Sequence, residues 1–145
     1  MNKLILLSVI SVFFMGNITA QTNTPSVPNL KKYKIVIQLT NGDTAVHRAT
    51  VKQIFNALAA APNSKIEVVC HNNGISFLQT AKTFQGDRIK ELKGKGVVFV
   101  ACENTLRERK IDKTEIVPEA GFVPAGIIEV VDKQTKGWSY LKAGF

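Results

Sequence analysis

Apolar and polar positions follow two different periods along this chain. Lys34-Ile35-Val36-Ile37-Gln38-Leu39 and Lys65-Ile66-Glu67-Val68-Val69-Cys70 are β-branched runs that predict strands. Between them, Val51, Ile54, Phe55 and Leu58 fall at i, i+3, i+4 and i+7, one stripe for packing a helix on a sheet. Asp43 or Thr44 can cap that helix. Residues 97–101 are apolar throughout and bounded by Gly96 and polar positions, which predicts a strand buried on both faces in the middle of a parallel sheet. Cys102 closes it.

The spacers predict helices. Residues 75–84 read as a short helix, and Gly86-Asp87 restarts a helical turn that carries Ile89 and Leu92 and stops at Gly94. Residues 103–110 form a polar helix anchored only by Leu106, so that it faces solvent or another subunit. Asp112 and Glu115 have capping-box spacing. Gly121-Phe122-Val123 is a short strand, and Pro124 suits the first position of a helix whose buried stripe is Ile127, Ile128 and Val131. Residues 138–141 make a last strand. This alternation asks for right-handed crossovers with helices on both faces. The predicted class is α/β, a three-layer α/β/α sandwich with a mainly parallel sheet of about five strands.

The amino-terminal residues fall outside that scheme. Lys3, an apolar run of twelve residues from Leu4 to Met15, and Ala20 have the layout of a cleaved secretory signal over residues 1–20. The run is short of the ~20 residues that span a bilayer, so no stable membrane insertion is expected. Residues 21–32, with Pro25 and Pro28, form a linker to a domain over residues 33–145. The expected location is the periplasm or outside the cell. Lys3 is the only charge among the first 20 residues, so the formal charge of +8 falls to +7 without them. The cations are scattered and not interleaved with aromatic residues, which argues against a nucleic-acid partner and for a solvated surface.

Motifs exclude several chemistries. No Gly-x-Gly-x-x-Gly, Walker Gly-Lys-Ser/Thr or Gly-x-Ser-x-Gly pattern occurs. A turn and helix cap accounts for Thr40-Asn41-Gly42-Asp43-Thr44 better than a phosphate loop, because Asp43 would repel an anion. His47, His71, Cys70 and Cys102 have no metal-ligand spacing, so no metal and no cofactor are expected. His71 reads as a hydrogen-bonded residue of the rim. Cys70 and Cys102 both end strands, with no Cys-x-x-Cys motif. Three readings stay open: packed thiols, a disulfide between adjacent strands, or a reactive Cys102 beside Asn104 and Thr105 at a helix start. Glu103 would oppose a lowered thiol pKa, and the reactive reading needs a sulfur open to solvent at the rim.

Three blocks in order, Val98-Phe99-Val100-Ala101-Cys102-Glu103-Asn104-Thr105-Leu106, Val123-Pro124-Ala125-Gly126-Ile127-Ile128-Glu129 and Gly137-Trp138-Ser139-Tyr140, resemble the DsrE/DsrF-like (YchN-like) superfamily. The resemblance implies a parallel-sheet subunit that assembles as a homotrimer or homohexamer. It also implies a cysteine that accepts sulfur as a persulfide from a donor protein and passes it to an acceptor. That role carries to Cys102 alone, with Asn104 and Thr105 as neighbours; His71 and Asn41 join them as rim residues that could bind a ligand. The alternative is a non-catalytic oligomeric module that binds a small ligand or a protein.

Overall fold

The computed structural model describes residues 30–144. The proposed signal and most of the linker therefore lie outside the described residues. Five strands alternate with helices: β1 (Lys34–Leu39), α1 (Thr44–Ala60), β2 (Lys65–Cys70), α2 (Gly86–Gly94), β3 (Val98–Cys102), α3 (Glu103–Arg109), β4 (Gly121–Val123), α4 (Gly126–Thr135) and β5 (Ser139–Lys142). All pairings are parallel, in the order β4-β3-β2-β1-β5. The centre is thus β2, with β3 one place to its side, because the chain steps in one direction through β4 and only then returns beside β1.

The two-residue period of each strand divides the core. Leu39, Ile66, Val68, Cys70, Phe99 and Ala101 belong to a large cluster with Val51 and Ile54 of α1, Ile89 and Leu92 of α2 and Leu106 of α3. The intervening Val36, Val69 and Val100 join Val123, Val130 and Trp138 in a small cluster under α4. His47 and Thr50 extend the expected α1 stripe. Asp43 caps this helix by accepting the Ala45 N–H at 2.7 Å. The capping box at Asp112 and Glu115 forms as its spacing predicts.

Three local expectations are corrected. Residues 75–84 form no α-helix; a 3₁₀ turn over Asn72–Phe77 is followed by Gln79 bridged antiparallel to Ile116, with the Val117 N–H on the Leu78 carbonyl at 2.8 Å. Pairing with the 115–117 segment takes the backbone groups a helix would have used. Pro124 is not the first residue of α4, which begins at Gly126 with Ala125 as its cap, because the Pro124 carbonyl accepts the Asn104 N–H. Finally, Ile127, Ile128 and Val131 are exposed at 61%, 64% and 50%, and α4 instead buries Gly126 and Val130. The helix lies with its apolar stripe outward.

Candidate functional site

The carboxyl ends of β2 and β3 and the start of α4 meet at one point on the rim. Cys102 occupies the cap position of α3 with extended backbone, φ −75° and ψ 114°. Its Sγ accepts the N–H of Gly126, the first residue of α4, at 3.2 Å. Two helix starts therefore converge on one sulfur. The approach needs glycine: a Cβ at Gly126 would stand 3.3 Å from the Cys102 Cβ and 3.2 Å from both Cβ and Cδ2 of His71. Burial pushes the Cys102 thiol up, but the Gly126 N–H, the Thr105 N–H and hydroxyl and the Asn104 N–H outweigh it, and the pKa lies below the ordinary thiol value. The Gly126 contact has full hydrogen-bond geometry. Glu103, expected to oppose this shift, is engaged with Lys113.

A cavity of about 160 Å³ leads to the sulfur, lined by His71, Asn72, Asn104, Thr105, Gly126 and Ile127 among others. Cys102 itself is only 5% exposed. The open sulfur required by the sequence reading is therefore corrected to one reached through a small depression, because His71 and α4 close over it. Thr105 is buried, and its hydroxyl accepts the Asn72 N–H at 3.1 Å, tying α3 to the loop after β2. Asn104 Oδ1 accepts from Arg107 Nη2 at 2.5 Å.

His71 is held by a relay absent from the sequence reading. The Tyr140 hydroxyl donates to Gln38 Oε1 at 2.5 Å, and Gln38 Nε2 lies 2.8 Å from His71 Nε2. An amide nitrogen can only donate, so His71 Nε2 accepts and the ring proton sits on Nδ1. Burial lowers the His71 pKa, which favours this neutral form. Gln38, Tyr140 and Gly126 were missed as site residues. The available signal was Gln38, a polar residue between the apolar Ile37 and Leu39 of β1.

The remaining expectations separate. Asn41 is not brought to Cys102: its side chain accepts the Asp43 N–H, its carbonyl bonds His47 Nε2, and it lines another depression with Thr40, Asn73, Lys142 and Ala143. Cys70 and Cys102 are both free, which corrects the disulfide reading. Cys70 pairs in register with Ala101, not Cys102, so alternation sends the two sulfurs to opposite faces of the sheet. Cys70 is fully buried, and desolvation drives its thiol far up. No group of three or more His, Cys, Asp or Glu suited to a metal occurs among the described residues.

Comparison with known proteins supplies the family. The model of the DsrE/DsrF-like family matches residues 31–143. The chain belongs to this family. The DsrE/DsrF-like match spans Gln38, His71, Cys102, Gly126 and Tyr140 alike. A solved structure of MTH1491 from Methanobacterium thermoautotrophicum, described as a protein of unknown function, is 29% identical with a TM-score of 0.73, over 76% of this chain and 98% of that one. BT1422 from Bacteroides thetaiotaomicron, a conserved protein of unknown function, is 15% identical with a TM-score of 0.56, over 75% and 93%. The ychN protein from E. coli is 12% identical with a TM-score of 0.54, over 76% and 98%. These last two share the fold. No curated protein matches the chain.

Proposed function

We propose that this DsrE/DsrF-like chain is an exported sulfur carrier that uses Cys102 as its persulfide acceptor. Family membership suggests a role related to sulfur relay. The observation that carries the finer reading is the Cys102 sulfur held by the Gly126 N–H at the end of a cavity, with its pKa lowered. The Cys102 thiolate attacks the terminal sulfur of a donor persulfide, forming Cys102–S–SH and releasing the donor thiolate. An acceptor thiolate then takes that sulfur and Cys102 returns as thiolate, with no net oxidation. Asn104 and Thr105 hold the loop around the sulfur, and neutral His71 walls the cavity. Export rests on the pattern of residues 1–20, and assembly as a trimer or hexamer on the family together with the outward apolar stripe of α4.

Incubation with a sulfane-sulfur donor tests this reading. Mass spectrometry should show an adduct of about 32 Da, one sulfur atom, that is absent from Cys102→Ser. Failure of the adduct on reduced protein sinks it. The 5% exposure of Cys102 favours a second reading, an oligomeric binding module with packed thiols. Native thiol counting separates the two: one thiol reacting with Ellman's reagent supports the carrier, and two silent thiols support the module.

A further inference from the structure

A second depression, of about 380 Å³, shares no lining residue with the Cys102 cavity. Gly42, Asn73, Ser76, Gln79, Lys82 and Arg109 supply its polar surface, and Ile75 and Ile111 its apolar walls. No Asp or Glu lines it. Arg109 spends one nitrogen on Asn73 Oδ1 at 2.7 Å, and neither it nor Lys82 takes part in a salt bridge among the described residues. The Ser76 hydroxyl donates to the Asn73 carbonyl at 2.9 Å, fixing the floor.

Gln79 is the independent observation. It is 97% buried, yet its side-chain amide has no hydrogen-bond partner among the described residues. Neither amide atom is sealed from solvent, since Glu67 Oε1 alone among the described residues is both buried and unpaired. Gln79 is one of the residues that line this depression. A buried, unpaired amide beside two cations and no acid has the chemistry of a specific anion contact.

We propose that this depression is a binding site for a small anion of carboxylate or phosphate type, held by Lys82 and Arg109 and oriented by the Gln79 amide. The Ala45 N–H at the start of α1 takes no part, because the Asp43 side chain already accepts it. The site is separate from Cys102 and stands whether or not Cys102 carries sulfur.

Isothermal titration calorimetry of the full chain with citrate and, separately, with inorganic phosphate tests it. One saturable site per chain is expected for at least one of the two, and the better ligand names the class. Lys82→Ala with Arg109→Ala should weaken binding by about tenfold or more, and Gln79→Leu by a few-fold, while Cys102→Ser binds as the parent does. Gln79→Leu removes an unpaired amide, so a thermal melt should show stability kept or raised; lost affinity without lost stability marks a ligand contact. Absence of saturable binding for both anions, or affinities unchanged in the Lys82/Arg109 variant or in Gln79→Leu, overturns the proposal.

Discussion

Among the groups that lower the Cys102 thiol pKa, the Gly126 N–H comes first. Because the folded thiol pKa lies below its ordinary value, alkylation by iodoacetamide should rise with pH to a midpoint below that of an unstructured thiol. Linkage has the same sign: the thiolate's contribution to stability is full above the unfolded pKa and is lost as pH falls through the folded one. Gly126→Ala places a methyl against His71 and Cys102 at 3.2–3.3 Å. It should move the alkylation midpoint upward and cost about 1–2 kcal/mol in urea unfolding, an overpacking penalty. A midpoint that stays put would show that the Gly126 contact does not set the pKa. Glycine is needed elsewhere for plainer reasons. A Cβ at Gly74 would meet the Leu39 carbonyl oxygen at 2.1 Å, so this residue lets the loop after β2 lie on the end of β1.

At the scale of the element, α4 carries the greatest burden, since among the helices of the described residues it alone packs on its face of the sheet. Beneath it Glu67, 4% exposed at its side chain, pairs with Lys133, which also reaches Glu129 at 3.4 Å and lies over the Trp138 ring. Desolvation raises the Glu67 pKa, and Lys133 offsets only part of it. Lys133→Met strands that carboxylate and should cost about 2–4 kcal/mol in chemical denaturation, whereas Glu67→Leu with Lys133→Met should recover most of the loss. Additive losses would contradict this. The outward stripe gives the second prediction at this scale: Ile128→Lys with Val131→Asp should lower the mass seen by light scattering without lowering the melting temperature of the subunit. The same helix shows where pattern reading fails. Ile127, Ile128 and Val131 have a core-facing period, but period fixes only that they share a face, not which partner covers it. The α1 stripe was legible because one sheet face was available to it and the spacing matched. Residues 75–84 were not, since their pairing partner lies some 35 residues on, in the 115–117 segment.

For the whole molecule, parallel topology and alternation together decide the chemistry. The sequence placed Cys102 on the rim correctly, because a strand's end can be read from its flanking polar residues. It could not place His71, Gln38 and Tyr140 together, since that needs the order of β2, β1 and β5 across the sheet. Nor could it separate the two sulfurs, whose fates turn on a register of one residue. That offset reaches beyond the subunit. With Cys70 sealed beneath the opposite layer, no thiol of the same chain can resolve whatever Cys102 acquires, so any cargo or oxidation must be discharged to a second molecule, and turnover would depend on encounter and hence on concentration.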